Sequence, residues 1–189
     1  MIPGPLKFAA PHCGDYNSML AGVLFDRDGT LIEDVPFNGD PASVRPMPTA
    51  GPALRRLRLA GIPAGVVSNQ SGIGRGLLTE DQVRAVNARV ERLLGPFAVW
   101  LYCPHGPGDG CRCRKPRPGM LLDAAERLGV PPSALAVVGD IGADMAAAAA
   151  VGARAVLVPT PVTRRAEVVA APAVAPTLLA AVALLLEAT

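Results

Sequence analysis

Short, continuously apolar runs alternate along this chain with segments of helical periodicity, and that alternation leaves few folds open. Ala21–Asp26, Ile62–Ser68, Phe97–Tyr102, Leu135–Val138 and Ala155–Val158 read as strands buried on both faces. Between them, Thr49–Ala60 places Ala50, Ala53, Leu54 and Leu57 at helical spacing, with Gly61 as its stop. Thr79-Glu80-Asp81-Gln82 is a capping-box pattern. The helix it opens carries Val83, Val86, Val90, Leu93 and Leu94 on one face and ends at Gly95-Pro96. Gly119–Leu128, stopped by Gly129, and the Ala-rich Asp144–Val151, stopped by Gly152, are further helices, and the tail from Thr177 is helical. Strands alternating with helices imply βαβ units. The expected fold is therefore α/β, a doubly wound, Rossmann-like parallel sheet covered on both faces.

A chain of 189 residues suits one such domain. Residues 1–20, punctuated by Pro3, Pro5 and Pro11, read as an extension, and residues 21–189 as the domain, with a distinct loop at 103–113. The most apolar stretch, Leu178 to Leu186, is far shorter than the ~20 residues a bilayer requires. With no secretory apolar region near the N-terminus, the expectation is a cytoplasmic monomer without a membrane partner. The net charge of +2 gives no broad basic surface, which argues against nucleic acid as a partner.

Polar residues cluster where strands end. Asp26-Arg27-Asp28-Gly29 closes the first strand, and Ser68-Asn69-Gln70-Ser71 the second. Lys115 follows the third, while Asp140 and Asp144 follow the fourth. Ligands of open parallel sheets bind beyond the carboxyl ends of the strands, so these four groups are placed to share one site. Any one of them is an ordinary turn or helix cap; all four on consecutive strands are not expected by chance. Asp26 and Asp28 repel each other at this spacing, and a divalent cation is the natural compensator. Such a cation suits phosphate chemistry.

Three of the four cysteines fall in Cys103-Pro104-His105, five residues, then Cys111-Arg112-Cys113. Four soft ligands within eleven residues fit a closed tetrahedral zinc site. With no open position for water, the zinc would be structural. It would fix the basic, proline-stiffened segment Arg114-Lys115-Pro116-Arg117-Pro118, which is too poor in hydrophobic residues to fix itself by packing. Cys13, beside His12, reads as a free thiol. A basic zinc knuckle for RNA is the competing reading. It lacks interleaved aromatic platforms, because Trp100 and Tyr102 fall in a strand.

Asp26-x-Asp28-Gly29-Thr30, Ser68, Lys115 and Gly139-Asp140-x-x-x-Asp144 resemble the four motifs of the haloacid dehalogenase superfamily of phosphotransferases. The zinc pattern, together with Ser68 to Gly76, is similar to the D-glycero-D-manno-heptose 1,7-bisphosphate 7-phosphatases. The histidinol-phosphate phosphatases share the zinc loop. The resemblance spans about residues 21–159.

The resemblance implies a Mg²⁺-dependent phosphomonoesterase acting through an aspartyl-phosphate, and no insertion long enough for a cap domain follows the first or second strand. Asp26 would attack phosphorus; a carboxylate with an ordinary pKa near ~4 is ionised at neutral pH and needs positioning more than activation. Asp28 would protonate the leaving sugar oxygen and then deprotonate the hydrolytic water. Ser68 would donate to a phosphoryl oxygen, and Lys115 would supply positive charge. Asp26, the backbone carbonyl of Asp28 and Asp140 would hold Mg²⁺, with Asp144 orienting the site or capping its helix. Asp34, Val35, Pro36, Phe37, Asn69, Gln70, Ser71, Arg75 and Arg114 would contact the sugar or its second phosphate. Arg117 to Leu122 and the Ser-Gly-Ile-Gly-Arg-Gly run favour the heptose branch. The five-residue spacing between His105 and Cys111 favours histidinol phosphate, and another small sugar phosphate is a further alternative.

Overall fold

The computed structural model of the protein describes residues 19–188. The expected extension lies outside them apart from residues 19–20, as do His12 and Cys13. In chain order the elements are β1 (Gly22–Phe25), α1 (Ala50–Leu59), β2 (Ala64–Asn69), α2 (Glu80–Leu94), β3 (Val99–Cys103), α3 (Gly119–Leu128), β4 (Leu135–Gly139), α4 (Gly142–Ala149), β5 (Arg154–Leu157), α5 (Arg165–Ala170) and α6 (Leu178–Glu187). Two short 3₁₀ turns, Pro41–Ser43 and Pro132–Ala134, join them.

The strands form one five-stranded sheet, order β3-β2-β1-β4-β5, with every pair parallel. Burial on both faces follows from the strand sequences. In β1, Val23 and Phe25 enter one core and Leu24 the other. In β4, Ala136 and Val138 alternate in the same way with Leu135 and Val137. That is the two-residue period of a strand with no solvated face. The first core is closed by α1, α2 and α6 through residues such as Leu54, Val86 and Val182. The second is closed by α3 and α4 through Leu121, Ala124, Ala147 and Ala148. The doubly wound architecture stands as the apolar runs imply.

Local chemistry sets the helix ends. Thr79 Oγ1 accepts from the N–H of Gln82, and Gln82 Oε1 accepts from the N–H of Thr79, the reciprocal capping box. Gly129 closes α3 with φ +68°. The sequence gives no sign of α5, because its six residues bury no side chain and so carry no periodicity. Trp100 is fixed in β3, where its indole N–H donates to Glu91 Oε2 at 2.8 Å and its ring meets Phe97 edge-on. No helix among the described residues is long and apolar enough to cross a membrane.

The sheet order reverses at β1, which pairs with β2 on one side and β4 on the other. Phe25 lies beside Val138, so residues 26–28 and 140 leave neighbouring strands at the same rim. This is the switch point at which open α/β sheets bind ligands.

Candidate active site

Each strand delivers its polar residue to that rim. Asp26, immediately after β1, is 8% exposed, and its N–H donates to Val138 O at 2.9 Å. Lys115 reaches it from the segment after β3. The ammonium Nζ lies 2.7 Å from Asp26 Oδ1, 2.6 Å from Asp144 Oδ1 and 2.8 Å from Val67 O. Asp26, Asp140 and Asp144 each present a carboxylate oxygen within 4.8 Å of the others, and all three are buried. Three carboxylates thus face one ammonium. Asp140 is held from the segment after β5, where Thr163 Oγ1 donates to its backbone carbonyl at 2.6 Å.

Two glycines make the close approaches possible. A Cβ on Gly29, whose φ is +77°, would stand 2.5 Å from Asp140 Oδ2. A Cβ on Gly139 would stand 2.3 Å from Asp144 Cγ.

The crowding has an electrostatic consequence that the spacing alone does not show. Burial raises the pKa of Asp26 to about 7; Lys115 opposes the rise, and repulsion from Asp144 and Asp28 adds to it. Asp140 is also raised to about 7, chiefly by burial and then by Asp144. Asp26 is therefore not simply ionised at neutral pH without a cation, as an ordinary carboxylate would be. Both groups are raised, so the folded protein holds protons that the unfolded chain releases from about pH 4 upward. Their contribution to metal-free stability is complete below that pH and is lost as pH rises to about 7. Melting curves of metal-free protein should fall between about pH 5 and about pH 8, and Mg²⁺ should reverse the fall. A flat or rising profile would contradict this electrostatic account.

The carboxylate set fits a hard divalent cation, because hard cations take oxygen ligands and a cation would balance the excess negative charge. The side chain of Asp28 does not join this set. Its carboxylate pairs with Arg27 Nη2 at 3.0 Å and accepts from Gln70 Nε2 at 2.7 Å. Gln70 Nε2 also donates to Ser68 Oγ at 2.8 Å, so Gln70 ties Ser68 to Asp28. Asn69 makes a reciprocal amide pair with the backbone of Lys115, both bonds 3.1 Å. In this state Asn69 positions the lysine.

A cavity of about 210 Å³ opens beside this cluster, lined by Arg27, Asp28, residues 34–38 and residues 69–72. Asp34, Val35, Pro36, Phe37, Asn69, Gln70 and Ser71 are thus brought together on its wall. Arg75 lies over the Phe37 ring at 5.0 Å, and Phe37 holds the uncommon φ of +51°. Arg114 lines a separate cavity of about 360 Å³ with Lys115, Arg117 and part of the cysteine loop. Burial raises the Asp34 carboxyl above its usual range, as does nearby Asp28, while Arg27 opposes the shift.

Cys103, His105, Cys111 and Cys113 converge as their spacing suggests. Cys103 Sγ lies 3.5 Å from His105 Nδ1, 3.6 Å from Cys111 Sγ and 3.1 Å from Cys113 Sγ, and His105 Nδ1 lies 3.3 Å from Cys113 Sγ. A tetrahedral zinc thiolate site has ligand–ligand edges of about 3.8 Å, so this donor set fits zinc after a small expansion. The loop connects to the rim. Gln70 N donates to Cys103 O at 2.7 Å, and Arg114 Nη1 to His105 O at 3.2 Å.

Arg27, Asn87, Thr160 and Thr163 are site components that the motif reading passes over. Arg27 Nη1 donates to Asn87 Oδ1 of α2 at 2.6 Å, and Thr160 Oγ1 reaches Asp140 Oδ2 at 3.5 Å. The threonines carried one usable signal, since they follow β5 just as the other site residues follow their strands.

A family model described as HAD-hydrolase-like matches residues 112–184. The D-glycero-beta-D-manno-heptose-1,7-bisphosphate 7-phosphatase of Pseudomonas aeruginosa is 40% identical over 143 residues, 73% of this chain and 80% of that protein. The enzyme of the same name from Pseudomonas putida is 38% identical over 148 residues, 73% of this chain and 82% of its own length. Among solved structures, D,D-heptose 1,7-bisphosphate phosphatase from B. bronchiseptica, complexed with magnesium and phosphate, superposes with a TM-score of 0.79. It is 32% identical, and the match covers 89% of this chain and 99% of that one. Sequence and fold similarity together show that the chain belongs to the heptose-1,7-bisphosphate 7-phosphatase family of haloacid dehalogenase-like phosphatases.

Proposed function

We propose that this protein removes the 7-phosphate of D-glycero-beta-D-manno-heptose 1,7-bisphosphate, with Asp26 as nucleophile and Mg²⁺ as cofactor. The observation that carries the reading is the buried Asp26 carboxylate, clamped by Lys115 at the switch point beside Asp140 and Asp144. The substrate comes from the names of the relatives that share about 40% of their aligned residues with the chain.

Asp26 and Asp140, with the backbone carbonyl of Asp28, would hold the Mg²⁺, which would neutralise charge on the phosphoryl group. Attack by an Asp26 oxygen forms the O–P bond as the bond to the sugar oxygen breaks. Asp28 gives that oxygen a proton, and in the second step takes one from the water that cleaves the aspartyl-phosphate. Ser68 accepts from Gln70, which leaves its hydroxyl hydrogen for a phosphoryl oxygen. Lys115 places a compact positive charge next to the nucleophile. Asp34 to Phe37 and Asn69 to Ser71 would form the sugar side of the pocket, with Arg75 stacked on Phe37 and Asn69 also supporting Lys115. Arg114 faces the second cavity, which suits an anionic group.

A structural zinc in Cys103, His105, Cys111 and Cys113 would hold the Lys115 segment. Burial and the bond from Cys113 push the Cys103 thiol up to about 12, so zinc binding has to displace protons there. Metal analysis should find about one zinc per chain, and chelation should lower the Tm by at least about 5 °C, roughly 2 kcal/mol at this chain length. Zinc-free protein with an unchanged Tm would remove the metal from the account.

The function is tested by phosphate release in Mg²⁺, comparing both anomers of the heptose bisphosphate with histidinol phosphate and other sugar phosphates. The expected result is the highest kcat/KM on the beta anomer, with heptose 1-phosphate as product. Preference for histidinol phosphate would overturn the substrate assignment.

A further inference from the structure

We infer that Arg27 and Asn87 form an orienting pair that holds the Asp28 carboxyl in place for proton transfer, making both of them positioning residues. The inference rests on the proposed roles of Asp26 and Asp28.

Arg27 stands between the two catalytic aspartates, yet its side chain does not point outward as a charged turn residue would. It is 1% exposed, among the largest fully buried side chains. Its guanidinium is divided between two tasks. Nε lies 3.1 Å from both Asp28 oxygens, and Nη2 lies 3.0 Å from Asp28 Oδ2. Nη1 donates to Asn87 Oδ1 at 2.6 Å. Adjacent residues seldom make a forked pair, so the geometry needs an outside anchor. Asn87 supplies it from α2, a helix that carries no other residue assigned to the site.

The fork treats the two oxygens unequally. Among the described residues, Oδ2 receives Arg27 Nε, Arg27 Nη2 and Gln70 Nε2, whereas Oδ1 receives only Arg27 Nε. Oδ1 is the oxygen with capacity left for a proton exchanged with the sugar oxygen or with water. A buried guanidinium that loses an acceptor is costly and seeks another, so removing Asn87 frees Arg27 to rotate and takes the orientation of Asp28 with it. A lysine at position 27 would be a point charge and could not bridge Asn87 and both carboxylate oxygens.

A purely structural role would reduce all activities together, whereas an orienting role depends on the leaving group. A sugar alkoxide must be protonated as the P–O bond breaks; a nitrophenolate or a carboxylate leaves without help. The experiment measures kcat/KM of Asn87→Ala and Asn87→Asp on the heptose bisphosphate, on p-nitrophenyl phosphate and on acetyl phosphate. Asn87→Ala should lose about 10²-fold on the sugar phosphate and no more than about threefold on the activated esters. Asn87→Asp, which keeps an acceptor, should recover most of the loss. The crystal structure of Asn87→Ala should show the Asp28 carboxylate turned away from its Arg27 fork. Equal losses on all esters, no loss on any, or an unmoved Asp28 would overturn the inference. If wild type ignores the heptose but hydrolyses another alkyl phosphate, only the substrate assignment fails, and the comparison is made on that ester.

Discussion

Asp26→Asn is expected to lower turnover by on the order of 10⁴-fold or more while leaving the fold intact. Asparagine has the shape of aspartate but no anionic oxygen to form the bond to phosphorus. The fold should tolerate it because the native carboxylate is itself under electrostatic pressure. It is buried, and its pKa is raised to about 7 by desolvation and by Asp144 and Asp28 against the pull of Lys115. Lys115 keeps its second partner, Asp144, at 2.6 Å in the variant. The Tm should therefore stay within a few degrees of wild type, and circular dichroism should be unchanged. Turnover within tenfold of wild type would show that another group is the nucleophile.

Lys115→Met should damage both stability and rate. Among the described residues the ammonium is the one cation in contact with Asp26 and Asp144, and it also donates to Val67 O. Methionine fills similar space but leaves three buried carboxylates without an adjacent positive charge. Removing one partner of a buried ion pair costs about 3–5 kcal/mol, which corresponds to a drop in Tm on the order of 10 °C here. Loss of a fixed positive charge from a phosphoryl-transfer site should cut kcat by about 10²–10³-fold. Mg²⁺ should raise the Tm of the variant more than that of wild type, because the cation becomes the sole compensator. A variant with native Tm and native kcat would remove Lys115 from both roles.

The parts of the site legible in sequence were those carried by strand ends. Asp26, Ser68 and Asp140 each follow a run whose continuous apolarity marks a buried parallel strand, so their convergence followed from topology. The cysteine loop was legible because metal ligation needs particular residue types at short spacing. Other parts depend on distances that a sequence does not encode. Asn87 looks like any polar residue on a helix until α2 is packed beside Arg27. Arg27 carries no sequence signal beyond its place between Asp26 and Asp28, and only its burial reveals the anchor. The raised pKa of Asp26 comes from desolvation, which requires the closed site. Asn69 lines the substrate cavity, and only the folded site reveals its second task, the two bonds to the Lys115 backbone. Helix α5 was invisible because it buries no residue.

The central claim, that Asp26 becomes phosphorylated during Mg²⁺-dependent turnover of the heptose bisphosphate, is tested most directly by acid quench and mass spectrometry. Asp28→Asn slows hydrolysis of the intermediate and should let it accumulate on the activated ester acetyl phosphate. The account predicts one phosphoryl group on the peptide that contains Asp26, labile to hydroxylamine and absent without Mg²⁺ or in Asp26→Asn. A phosphoryl group on another residue, or turnover with an enzyme that is never phosphorylated, would contradict it.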